Sequence, residues 1–271
     1  MINTDLPAPM GERFGVLMEQ LQELTKGATV YYHPNHGNWG DGLIMAGTRR
    51  FLADAGIDFT ECQYKRIRSP QVLRKPDWLR NVDRKTSVLI YGGGGGLCKL
   101  WDISKYIGFV GNHFLHTIIL PSTFEVKPRL RSATFYCRDR YVSADLSGGE
   151  FVDDMAFYLG RRRAGVAGRG RGYFFRTDAE SAGEIELPEA NRDVSSEHDY
   201  QYPVEKFFDA LSEFEVIHTD RLHVAIASCL LGKEVKLYPG RYFKNEALFH
   251  SSMQGLFPLA SFMQGGPSPL P

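Results

Sequence analysis

The sequence predicts an α/β protein made of two successive parallel-sheet halves, and three observations carry this. Apolar runs of strand length recur along the 271 residues and alternate with segments of helical period. β-branched and aromatic residues fill the runs, while Gly, Asn, Asp and Pro collect between them. The rhythm occurs twice over, and the length allows one large or two small domains.

The first strand is predicted over 28–33 (ATVYYH). The loop PNHGNWGD follows, and then an amphipathic helix over about 41–55, whose Ile44, Gly47, Thr48 and Phe51 share one face at i, i+3, i+4 and i+7. Further strands are expected at 58–64 (DFTECQY), 86–92 (TSVLIYG), 116–121 (HTIILP) and 132–139 (SATFYCRD). The second half gives a strand at 172–178, a helix at 203–214 and a strand at 215–220. The helix of RLHVAIASCLLG and a closing strand at 233–239 (KEVKLYP) complete it. The Pro/Gly-rich tail FMQGGPSPLP reads as frayed. The expectation is two Rossmann-like halves facing a cleft, 1–125 and 126–271, with a single doubly wound sheet as the alternative.

Composition narrows the function. Lys plus Arg and Asp plus Glu balance at 32 each, which removes a general electrostatic case for nucleic-acid binding. Cys62, Cys98, Cys137 and Cys229 are scattered through apolar stretches without CxxC spacing, so reduced, buried thiols are expected. His113 and His116 lack a carboxylate or cysteine to complete a ligand set, and no metal is assigned. The first residues, MINTDLPAPMGERF, lack leader character, and no apolar run reaches the ~18 residues of a membrane span. The expected location is cytoplasmic. The basic stretch at 161–172 reads first as a solvated loop and second as a contact with an anionic lipid surface or a glycan pyrophosphate.

Four segments can carry chemistry. In HGNWGDGLI (36–44), Asn38 or Asp41 caps a helix, and a carboxylate beyond a strand's carboxyl end can also orient or deprotonate a hydroxyl. The run GGGGG (92–96) follows a buried strand; Gly93 and Gly94 either form a tight crossover or offer N–H groups to a phosphate. In HTDRLHVAIASCLLGKEV (218–235), Thr219 or Asp220 is expected as the N-cap, with Arg221, Leu222 and His223 in the first turn. Leu222 belongs to the helix's apolar face, and cations at a helix N-terminus suit a nearby anion, with a salt bridge as the structural alternative. Arg176 and Arg138 end two further strands, and Asp139 reads as a helix cap.

Together these segments resemble the polysaccharide pyruvyltransferase family. The resemblance rests on GNWGDGLI, VLIYGGGG (88–95), ILPSTFE (119–125), CRDR (137–140), VDDMAFYL (152–159), FFRTD (174–178), TDRLHVAIASCLLGKEV and YFKN (242–245), in that order. It implies two domains similar to GT-B glycosyltransferases, abbreviated to fit the chain. It also implies phosphoenolpyruvate as donor substrate, a saccharide or lipid-linked oligosaccharide as acceptor, and no cofactor. On that basis Arg176, Arg221 and Leu222 are expected at the donor, with Arg138, Asn38, Gly93 and Gly94 also binding substrate. His223 is the expected acid or proton relay, and Asp41 the acceptor-side carboxylate. A sugar-nucleotide glycosyltransferase is the rival reading.

Overall fold

The computed structural model describes residues 5–62, 76–162, 168–183 and 186–264. Its first sheet contains seven strands, and every pairing in it is parallel. Helix α1 (Ala8–Leu24) precedes β1 (Thr29–His33), α2 (Trp39–Asp54) and β2 (Thr60–Glu61). Then come β3 (Ser87–Tyr91), β4 (Gly94–Leu97), α3 (Ser104–Gly111) and β5 (His116–Phe124). The strands β6 (Ala133–Cys137) and β7 (Glu150–Phe151), joined through α4 (Val142–Ser147), finish the sheet in the order β2-β1-β3-β5-β6-β7, with β4 beside β5.

The second sheet has four strands, also parallel. They are β8 (Arg171–Phe174), β9 (Val216–Thr219) after α5 (Val204–Ser212), β10 (Glu234–Leu237) after α6 (Leu222–Leu230), and β11 (Ala260–Phe262) after α7 (Lys244–Leu248). An α/β protein with two parallel sheets is thus what the chain forms. The division expected at 125/126 falls between β5 and β6, which pair through Thr117–Ala133 and Ile119–Phe135. The first sheet therefore continues to Phe151, because the β6 residues that close the run SATFYC complete its ladder.

The long predicted strands and helices sit where their side-chain period puts them, with ends shifted by a few residues. Several elements go beyond the expectations, among them α3, α4, β7 and α7. Helix α1 buries Met10, Phe14, Leu17 and Leu21, a helical repeat present in the sequence, and β11 follows the strand expected to close the fold. The glycine run also supplies a strand of its own, β4. The tail from 265 onward and residues 163–167 of the basic stretch lie outside the described residues.

One continuous apolar core joins the two sheets. It runs from Val30, Ile90 and Ile118 through Leu43, Phe51, Phe157 and Ile226 to Ile217 and Val235. Leu222 is part of it. Helices α2 and α6 both contribute to it and pack against each other and against the turn Met155–Leu159. All four cysteines are free and buried. Among the described residues no helix is long and apolar enough to cross a membrane.

Candidate active site

Ligands of parallel sheets bind beyond the carboxyl ends of the strands, and here those ends carry the chemistry-bearing residues. The loop after β1 leads into α2, whose N-cap is Asn38. Asn38 Oδ1 accepts from the Gly40 and Asp41 N–H groups at 2.9 and 3.4 Å, and Asp41 Oδ2 accepts from the Asn38 N–H at 3.0 Å. This reciprocal capping box fixes Asp41 at the third helical position rather than the first. Its other oxygen accepts from Asn35 Nδ2 at 2.8 Å. Burial raises the Asp41 carboxyl above its usual range; His223, the Asn38 N–H, Arg138 and Asn35 pull it back only in part.

The glycine run lies over this carboxylate. Gly93 and Gly94 have φ of +80° and +94°, a conformation that costs other residues strain. A Cβ on Gly94 would also meet Ile44 Cδ1 at 2.8 Å and approach Asp41 Oδ1 to 3.6 Å. These glycines therefore serve close backbone approach as well as the turn.

From the end of β6, Arg138 turns inward and is buried. Its Nε donates to Thr123 Oγ1 at 2.8 Å and its Nη1 to Asp154 Oδ2 at 2.6 Å. Asp154 caps the 3₁₀ turn Met155–Leu159 through the Ala156 N–H. Burial alone would raise its carboxyl, but His223, Arg138 and that N–H hold it well below the usual range. His223 Nε2 stands 3.6 Å from Asp154 Oδ2, an ion-pair distance too long for a hydrogen bond. That nitrogen is buried and has no hydrogen-bond partner. Nδ1 faces α2 so closely that a Cβ on Gly40 would come within 2.9 Å. His223 thus pairs with the Asp154 carboxylate and lies within electrostatic reach of that of Asp41.

The expected cap of α6 is corrected. Arg221 occupies the N-cap position, while Thr219 Oγ1 accepts its N–H at 2.9 Å and Asp220 Oδ1 accepts the Arg176 N–H at 2.8 Å. Burial lifts the Asp220 carboxyl to about 6. The extended φ/ψ of Arg221 leaves Leu222 and His223 as the first helical residues, with Leu222 in the core and His223 turned toward Asp154. Asp139 accepts from the Tyr141 and Ser143 N–H groups, but it stands two residues before the N-cap of α4, which is Tyr141.

Arg176 and Arg221 are both paired with acidic side chains. Arg221 forms two bonds to Asp193, at 2.8 and 2.6 Å, and reaches Asp178 at 2.9 Å. Arg176 binds Asp178 through Nε at 2.8 Å and Glu180 through Nη1. Glu180 also takes Lys244 Nζ at 2.7 Å. Burial would raise the Glu180 carboxyl, but Lys244 and Arg176 bring it down to about 2. Both arginines therefore make the salt bridges that the structural alternative expects. Asn35, Asp154, Asp178, Glu180 and Lys244 had no assigned role in the sequence. Asp154, Asp178 and Lys244 lie inside the segments VDDMAFYL, FFRTD and YFKN, and Glu180 two residues past FFRTD, so their signal was the segment and not the residue. Among the described residues no group of three or more His, Cys, Asp and Glu is arranged to hold a metal ion.

The fold and site define an α/β protein whose imidazole, carboxylates and guanidiniums meet where the carboxyl ends of two parallel sheets converge. Its family follows from comparison: the polysaccharide pyruvyl transferase model matches residues 38–235, and the chain belongs to that family. The family is one of transferases acting on polysaccharide. A crystal structure of a functionally uncharacterised protein from Klebsiella pneumoniae subsp. pneumoniae NTUH-K2044 is similar, with 26% identity and a TM-score of 0.69. The match covers 92% of this chain and 98% of that one. No curated protein matches the chain significantly.

Proposed function

We propose that the chain transfers the pyruvyl group of phosphoenolpyruvate to two hydroxyls of one sugar residue, forming a ketal in surface or exopolysaccharide synthesis. The observation that carries this reading is His223: a buried imidazole nitrogen without a hydrogen-bond partner, 3.6 Å from the Asp154 carboxylate that Arg138 also binds, and within electrostatic reach of Asp41. In the reaction a proton adds to the donor's methylene carbon and a sugar hydroxyl oxygen bonds to the neighbouring carbon. The C–O bond to phosphate breaks, the second hydroxyl replaces it, and both hydroxyl protons leave. His223 supplies the proton, and Asp41 accepts or orients the hydroxyl hydrogen. The first sheet bears the acceptor and the second the donor, in an arrangement of GT-B type.

A donor carrying phosphate and carboxylate needs cations and helix N–H groups. Arg176, Arg221, Lys244, Arg138 and the start of α6 supply them. The resting acids compete, and they are not equal. The Asp178 side chain is 28% exposed, whereas those of Glu180 and Asp193 are 4% and 8% exposed. Asp178 therefore gives way most cheaply to the donor's anionic groups. Asp178→Asn is expected to tighten phosphoenolpyruvate binding roughly five-fold, the scale of one partly screened charge interaction. Calorimetric titration reads this directly, and weaker binding would mean that Asp178 instead holds the guanidiniums in place.

Donor choice is tested by thermal shift, since a ligand bound only by the native state raises Tm. Phosphoenolpyruvate should raise it more than UDP-sugars do. With candidate lipid-linked glycans, phosphate release should accompany a gain on the glycan of one pyruvic acid less water. Stabilisation by a nucleotide sugar alone would support the glycosyltransferase reading instead.

A further inference from the structure

Trp101 is the feature that the chemistry above leaves unused. It is 48% exposed, whereas Trp39 is 2% exposed in the core. A large indole left in water is uncommon unless one edge is held and the face has a use. Here the edge is held: Nε1 donates to Glu180 Oε1 at 2.8 Å. That carboxylate is buried and pairs with Lys244 and Arg176 in the cationic cluster. The backbone is anchored as well. The Trp101 N–H donates to the Cys98 carbonyl at 3.2 Å, and the Ile103 N–H to the Gly96 carbonyl at 3.0 Å. The loop is thus tied to the glycine run that covers Asp41.

From this geometry we infer that Trp101 is a stacking platform for a pyranose ring of the acceptor, seated beside the donor cations. The inference rests on the saccharide-acceptor reading. A pyranose has one face rich in C–H groups and a rim of hydroxyls. The indole face removes the first from water, while the neighbouring charged and polar groups meet the second. Glu180 fixes the ring's angle, so the platform is in place before the sugar arrives and little ordering entropy is lost on binding. Trp101 comes from the first sheet's loops and Glu180 from the second's, so their bond also joins the acceptor and donor sides.

The test compares the full-length wild type with Trp101→Phe and Trp101→Ala. All three are applied to an array of immobilised oligosaccharides, and the best-bound glycan is then used in solution. Trp101→Ala should weaken glycan binding and raise the acceptor KM by roughly ten- to thirty-fold, the scale of one aromatic side chain's apolar contact. Trp101→Phe keeps a ring but loses the N–H, and should stay within about three-fold of wild type. Phosphoenolpyruvate affinity should hold in both variants, and Tm should fall by a similar few degrees in each, since both lose the bond to Glu180. Unchanged glycan binding in Trp101→Ala overturns the inference, as does a wild type that binds no oligosaccharide. A Phe variant as impaired as Ala, or a parallel loss of donor affinity, would assign Trp101 to holding Glu180 instead. If wild type binds glycan without releasing phosphate from phosphoenolpyruvate, the pyruvyl reading fails, and the Ala-against-Phe comparison still decides the platform.

Discussion

His223→Gln is expected to lower turnover by roughly 10²–10⁴ while leaving phosphoenolpyruvate binding in place, the usual scale for losing a general acid or base. Glutamine has similar reach but cannot transfer a proton at neutral pH. The His223 side chain is 13% exposed and lies outside the apolar face of α6, and its Nε2 makes no hydrogen bond whose loss would unfold the helix. The measurement is a pair: single-turnover rate with a bound glycan, and donor affinity by titration. A folded His223→Gln protein with normal turnover would remove His223 from the chemistry and leave it a positioning residue. An unfolded one would show that the imidazole is structural, wedged between Gly40 of α2 and Asp154.

Arg138→Met should cost stability rather than affinity alone. Methionine fills much of the space but leaves the Asp154 carboxylate buried without its guanidinium partner, now 2.6 Å away. Breaking a buried pair on one side costs about 3–5 kcal/mol, which for a chain of this size is a fall in Tm of roughly 10 °C. The pH dependence gives the sign. In the wild type the Asp154 carboxyl is held below the usual range, so its contribution is present above an ordinary carboxylate pKa and is lost only as pH falls through the lowered value. In the variant burial goes unopposed by Arg138, so Asp154 takes up a proton at higher pH. The gap in Tm between the two proteins should therefore narrow as pH is lowered from 7. A constant gap would mean that the loss comes from packing around the methionine and not from the stranded charge.

Both variants bear on residues whose roles differed in legibility. Strands such as Ser87–Tyr91 and helices such as Leu222–Leu230 are written in local period and residue type, and they form where that period places them. The turn Asn38–Asp41 was also legible as a cap, because capping needs only residues within one helical turn. Residues near a strand's carboxyl end could be recognised as candidates for the same reason, since a parallel sheet presents those ends together. Helix α1 had the period but no neighbouring cue to its partners, Phe51 of α2 and Tyr158 of the turn at Met155–Leu159, which the Phe14 ring meets.

What the sequence by itself determined is the α/β class, the elements, and the set of polar residues that could share a site. Tertiary structure alone decided which charges pair. Arg221 meets Asp193 and Asp178, Arg138 meets Asp154 across 16 residues, and Trp101 meets Glu180 across 79. The division of the chain between the sheets was likewise settled by the ladder from β5 to β6 and not by the spacing of strands along the chain. The physical reason is range. Backbone preference and side-chain period act over a few residues, whereas an ion pair's worth depends on burial and on every charge nearby, and both are set only when distant segments pack.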